Sequence, residues 1–184
     1  MAYDEDAAES PNVIDVLTLA HREIESMLRH LRSGTDQQGG EAALTRVLVA
    51  ALVRHAVAEE EYVYPVVRSQ VAGGERIADR GLAQHAQLEE TMQQLADGSA
   101  TDYWRLLGAL ETEVRRHIQY DETELFPKLR ASCTRSDLAR LGDQVAGLSN
   151  AHRDLPRSWH VATADGSLID QVRAALAHRR GSVR

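Results

Sequence analysis

The chain holds a single cysteine, Cys133, so no internal disulfide can brace it. Positive charge is outnumbered, with 21 Lys and Arg against 28 Asp and Glu and a formal net charge of −7. Nucleic acid and anionic membranes require a basic face, so neither is expected as a partner. Long apolar runs are missing as well. The longest, VLVAALV from Val47 to Val53, falls far short of the roughly 20 residues a membrane span needs. The opening MAYDEDAAES has no basic start and no apolar signal core, which sets a soluble, cytoplasmic protein as the expectation. Strand-like alternation is absent throughout.

What is present is helical periodicity broken by turn chemistry. SGTDQQGG (Ser33 to Gly40), AGGE (Ala72 to Glu75), DGSATD (Asp97 to Asp102) and SCTRS (Ser132 to Ser136) are rich in residues that stop helices and cap new ones. Between them, apolar residues recur at helical spacing. The stripes are Val13, Ile14, Leu17, Ile24, Leu28 and Leu31; then Leu44, Val47, Leu48, Ala51, Leu52, Tyr62 and Val66; then Ile77, Leu88, Met92 and Leu95; then Leu106, Leu107, Leu110, Val114, Ile118 and Leu125. Ser10 followed by Pro11 predicts the first N-cap. With 184 residues and 43% hydrophobic composition, one domain plus a tail is expected. The fold class is all-α, an up-down-up-down four-helix bundle over residues 11–131, with a helical extension and tail over 132–184. Within that extension, helices are expected from Asp137 to Leu148 and from Leu168 to about Arg179, with Trp159 and the last helix covering one end of the bundle.

One motif is written twice. RHAVAEEEYVYPVVR (Arg54 to Arg68) returns as RHIQYDETELFPKLR (Arg116 to Arg130), which sets Glu59 against Asp121, Tyr64 against Phe126 and Pro65 against Pro127. Of the eight histidines, four have an acidic residue four positions on: His21 with Glu25, His55 with Glu59, His85 with Glu89 and His117 with Asp121. Composition alone gives roughly one such pair by chance. Each pair falls on a different bundle helix, with its histidine in the apolar stripe. Side chains at i and i+4 share a helix face, so each pair can offer a nitrogen and an oxygen to one point in the core.

Carboxylates do not sit unpaired in a core, and the stripes carry no Lys or Arg to meet them. A bound cation is the simplest compensation. Imidazole and carboxylate donors suit a first-row metal such as iron or manganese, and seven or so ligands suggest two ions. Zinc is usually satisfied by four. The prolines are expected to end or kink their helices just beyond these donors. Tyr62 and Tyr120 lie near the donors and are read as packing residues, Glu25 as solvated, and Glu60 and Glu122 as outer partners or surface groups.

HAVAEEEYVYP and HIQYDETELFP, with the histidines of the other two helices, resemble the hemerythrin-like family, also called the HHE cation-binding domain, over roughly Pro11 to Ala131. The resemblance implies a four-helix bundle around a non-haem di-iron centre, two oxo- or hydroxo-bridged irons. Its ligands carried onto this chain are His21; His55 and Glu59; His85; and His117 with Asp121, Glu59 and Asp121 being the bridges. Two positions depart from the oxygen carriers. Glu89 stands where they have a second histidine of the third helix, and their last carboxylate lies five residues after its histidine, which would select Glu122. On a regular helix the fourth residue faces the histidine and the fifth does not, which favours Asp121 unless a π-bulge intervenes.

Such a centre can carry O2, sense O2 or nitric oxide, or turn over hydrogen peroxide in a catalase- or peroxidase-like way. Glu89 as a ligand would enrich the site in carboxylate and favour peroxide turnover or sensing in an oxidative-stress response over reversible carriage. A metal-free structural bundle is the third class, disfavoured by the inward carboxylates.

Overall fold

The protein is described by a computed structural model covering residues 11–34, 40–97, 101–150 and 169–174. In chain order the helices are α1 (Val13–Ser33), α2 (Gly40–Ala58), α3 (Tyr64–Gln70), α4 (Gly74–Asp97), α5 (Tyr103–Tyr120), α6 (Phe126–Ser132), α7 (Arg135–Asn150) and α8 (169–174). No strand occurs among the described residues. Two π-helical turns, Glu59–Val63 and Asp121–Leu125, join α2 to α3 and α5 to α6. The bundle therefore has four rods: α1, α2–α3, α4 and α5–α6. Short connections make consecutive rods antiparallel neighbours.

The prolines do not end their helices. Proline lacks an N–H, and its ring strikes the carbonyl four residues back. Immediately before Pro65 and Pro127 the chain takes the wider turn, closed by Tyr64 N–H to Glu59 O and Phe126 N–H to Asp121 O. The extra residue opens the carbonyl ring around each proline, and each rod runs on to Gln70 or Ser132. The first N-cap also differs from expectation. Asn12 accepts from the N–H of Ile14 at 2.9 Å, Asp15 reciprocates to the Asn12 N–H, and Pro11 stands outside the cap. Ser10 lies outside the described residues.

Leu17, Leu48, Leu107, Leu110, Leu125 and Leu129 are at most 1% exposed, and each contributes about 2 kcal/mol of burial against the cost of the polar groups enclosed with them. The stripes of α1, α4 and α5 are buried as expected. On α2 the expectation of a single face fails. Val47 is 54% exposed, while Val49, Val53 and Val57 are buried with Leu48, Ala51 and Leu52. The reason is that α2 is covered from several sides, by α1, α4 and α7. α7 also packs along α1, where a Cβ on Gly142 would stand 2.4 Å from the Pro11 carbonyl oxygen, so the close approach requires glycine. Ile169 and Val172 of α8 are buried in the same core. Trp159 and residues beyond 174 lie outside the described residues.

Candidate metal centre

Each rod delivers one buried histidine: His21 from α1, His55 from α2, His85 from α4 and His117 from α5. Their Nε2 atoms converge, with His21 to His55 at 3.2 Å, His55 to His117 at 3.3 Å and His85 to His117 at 3.3 Å. Two carboxylates complete the cluster, both with side chains 0% exposed. Glu59 turns Oε1 toward His55 Nε2 (3.7 Å) and Oε2 toward His85 (3.3 Å) and His117 (3.5 Å). Asp121 Oδ2 lies 3.0 Å from His117 Nε2 and 3.6 Å from His21 Nε2. The donors fall into two groups that could each hold an ion: His21, His55, Glu59 and Asp121, and Glu59, His85 and His117. Glu59 belongs to both.

The atoms left without partners test whether a cation fits. Glu59 Oε1, both Asp121 carboxylate oxygens and His55 Nδ1 are buried with no hydrogen bond. An unsatisfied buried polar group costs about 1–3 kcal/mol, more when charged. Facing imidazole lone pairs cannot satisfy one another either. A cation among them satisfies the carboxylate oxygens and the Nε2 atoms at once, so the residues present fit a metal.

The outer nitrogens are held by the residue after each inward carboxylate. Glu60 Oε1 accepts from His85 Nδ1 at 2.9 Å, and Glu122 Oε1 accepts from His21 Nδ1 at 3.0 Å. Consecutive acids thus flank both nitrogens of one ring on another rod: Glu60 and Glu122 hold the outer nitrogens of His85 and His21, while Glu59 and Asp121 stand 3.3 and 3.6 Å from the inner ones. Because the outer carboxylates only accept, Nδ1 carries the proton and Nε2 is aimed inward. His117 Nδ1 has Gln84 Oε1 at 3.4 Å.

The aromatic residue before each proline stacks on the same ring. Tyr64 lies 5.7 Å from His85 at 27°, and Phe126 lies 5.6 Å from His21 at 10°. Tyr64 adds a hydroxyl, which donates to Glu59 Oε2 at 3.1 Å. A Cβ on Gly81 would stand 2.2 Å from that hydroxyl oxygen, so glycine makes room for the phenol. Burial, then the charges of Glu59 and Asp121, push the Tyr64 phenol far above its usual range and keep it protonated. Sequence reasoning singled out Tyr62 and Tyr120, which are not in the cluster; Tyr120 donates to the Ile77 carbonyl. The signal for Tyr64 was its alignment with Phe126.

Charge in the metal-free cluster is balanced by protons. Burial opposes a charge on His85, but hydrogen bonds to Glu59 and Glu60 outweigh it and raise the imidazole to about 9. Burial would raise Glu59, yet His55 and the bond from His85 hold it well below the usual carboxylate range. Asp121 is pushed well up by burial and by the charges of Glu59 and Glu122. Burial drives His117 down to about 3 and His55 well below its ordinary value. A protonated His85 therefore stands beside an ionised Glu59, while burial and acidic neighbours oppose the charge on Asp121. A cation entering the cluster displaces the proton on His85 Nε2.

Two of the acids paired with histidines in the sequence stand outside both donor groups. Glu25 is bound at the surface by Arg22. Glu89, expected as a ligand, stands outside both donor groups, and its Oε2 accepts from Arg173 of α8 at 2.9 Å. No Lys or Arg was expected near these faces because only the four rods were considered. The guanidinium comes from the C-terminal extension.

The family model described as the hemerythrin HHE cation binding domain matches residues 12–129. The chain belongs to this family. Its buried His, Glu and Asp cluster is the candidate metal site of this cation-binding domain. A solved structure of a hemerythrin HHE cation binding domain-containing protein from Mycobacterium kansasii is similar in fold, with a TM-score of 0.68, 19% identity, and coverage of 91% of this chain and 98% of that one. No curated protein matches. No helix among the described residues is long and apolar enough to cross a membrane.

Proposed function

We propose that the centre holds two iron ions, with Glu59 and Asp121 between them, and that the protein turns over hydrogen peroxide in an oxidative-stress response. The observation that carries the two-ion reading is the pair of fully buried carboxylates with unpartnered oxygens set among four converging imidazoles. Glu59 serves both donor groups, which is the role of a bridge. Iron suits this oxygen and nitrogen set, and a pair of irons supplies two-electron chemistry within one site.

Peroxide turnover draws its support from Tyr64 and from the size of the site. Disproportionation converts two peroxides to two waters and one O2 and needs no outside reductant. It needs hydrogen-bond donors held at the departing oxygen. The Tyr64 hydroxyl is buried, stays protonated and lies 3.1 Å from Glu59 Oε2, so it is placed to donate a hydrogen bond at the centre without ionising. The cavity beside His55, His85 and His117 has room of only about 10 Å³, on the scale of a single water molecule, which favours a very small ligand. The carboxylate-rich site once expected from Glu89 does not enter this reading, because Arg173 binds that side chain.

Metal analysis joined to visible spectra of the reduced protein before and after air, and to an oxygen-electrode assay with hydrogen peroxide, tests it. Two irons per chain and O2 release from peroxide are expected. One metal per chain overturns the pair. A reduced protein that binds O2 or nitric oxide reversibly and leaves peroxide untouched makes it a carrier or sensor instead.

A further inference from the structure

Arg173 lies on α8, outside the four rods, yet it reaches the centre by two routes. Its guanidinium donates to Glu60 Oε2 at 3.3 Å and to Glu89 Oε2 at 2.9 Å. Glu60 holds His85 Nδ1 through its other oxygen, so Arg173, Glu60 and His85 form a chain ending at an inward Nε2. The Arg173 side chain also lines the small cavity shared by His55, His85 and His117, together with Glu89, Leu88 and Met92. Ile169 and Val172, buried at 2% and 0% exposure, anchor the helix that carries it.

The opposite side of the centre supplies a natural control. Arg22 donates to Glu122 Oε2 at 2.8 Å, and Glu122 Oε1 holds His21 Nδ1 at 3.0 Å, an Arg–Glu–His chain of the same order. Arg22 belongs to α1, is half exposed, and does not line that cavity. Of these two arginines, Arg173 alone combines the chain to a histidine with a place in the cavity lining.

We propose that Arg173 is a positioning residue and cover for the centre. It fixes Glu60 against His85 and, tethered by Glu89, closes the cavity that three inward imidazoles share, so that α8 governs how fast a small ligand enters and how tightly the metal is held. Glu89 then acts as the tether of this cover. A planar guanidinium bridges two carboxylates in a way that a lysine ammonium does not.

This inference rests on the metal reading above, and its test separates the two failures. Full-length protein is loaded with iron, and two rates are followed by absorbance: binding of azide to the ferric form, and loss of metal to excess chelator. Arg173→Ala is expected to speed both by about tenfold, the scale of an outer partner's contribution at a metal site. Arg173→Lys should restore metal retention in part while leaving azide entry fast. Arg22→Ala is expected to speed metal loss alone. Glu89→Gln, which loosens the tether and spares α8, should speed azide entry with little change in metal loss, and it decides the matter if Arg173→Ala fails to fold by circular dichroism. Wild-type azide rates in both Arg173→Ala and Glu89→Gln overturn the proposal, as does an equal gain in Arg22→Ala. A wild-type protein that takes up no iron instead overturns the metal reading.

Discussion

The two copies of the repeated motif build two halves of one centre, and they differ where the chemistry needs asymmetry. In the first half α2 and its π turn present His55, Glu59 and Glu60, and Tyr64 stacks on His85. In the second, α5 and its π turn present His117, Asp121 and Glu122, and Phe126 stacks on His21. Both halves orient a neighbouring rod's imidazole in the same way. The first half alone adds a hydroxyl proton on its inward carboxylate, and its outer glutamate takes a guanidinium from α8 where that of the second half takes one from α1. The second keeps an apolar ring, and its Asp121 oxygens face only imidazole nitrogens and accept no hydrogen bond. A repeat thus supplies the scaffold of a paired site, and substitutions at single aligned positions make the two ends unequal.

The largest break in this comparison comes from the inward carboxylates. Glu59→Gln removes the donor common to both groups and is expected to abolish binding of both ions. Asp121→Asn leaves Glu59, His85 and His117 intact and should retain one metal. Iron per chain by mass spectrometry or chemical assay reads the difference, and equal losses would mean the groups do not fill separately.

Tyr64→Phe makes the first half match the second. Iron content should stay at the wild-type value while peroxide turnover falls about a hundredfold, the lower range for loss of a positioned hydrogen-bond donor. Gly81→Ala, whose methyl would strike the phenol oxygen, should give a smaller loss of turnover and a cost of about 1–3 kcal/mol in stability. Unchanged turnover in Tyr64→Phe would remove the phenol from the chemistry.

Glu60→Gln and Glu122→Gln compare the orienting acids directly. Each is expected to weaken metal affinity by roughly 10–100-fold, in competition titrations with a chromophoric chelator. The effect should be similar on the two sides if the repeat governs orientation.

The pH response of the metal-free protein gives a graded effect. His85 is raised to about 9, above its unfolded value near 6.5. Its stabilising contribution is therefore full below about pH 6.5 and is lost as pH rises through about 9. Metal must displace that proton, so affinity should climb about tenfold per pH unit from neutral toward pH 9 for each proton released. Urea melts of the metal-free protein and metal titrations at several pH values should move in opposite directions over this window.

The smallest effect is expected at Glu25, which shares the spacing of Glu59 and Asp121 but pairs with Arg22 at the surface. Glu25→Ala should leave iron content unchanged and cost less than about 1 kcal/mol.

Four stripes with a histidine in each, and the doubled motif, were enough to assign the bundle and the inward histidines, because helical periodicity alone decides which side chains share a face. The same rule fails to separate Glu59 and Asp121 from Glu25 and Glu89, since all four stand at the same spacing from a histidine. That choice is made by what packs opposite. Arg22 draws Glu25 outward, and Arg173, distant in sequence, draws Glu89 away from the cluster. The π turns add a second decision: they begin at Glu59 and Asp121 and let the next acid reach the outer nitrogen of a ring on another rod. Residue type and period are local properties of the chain and can be read along it. Which carboxylate turns into the histidine cluster and which meets an arginine depends on neighbours from other helices, and only the folded arrangement brings those neighbours together.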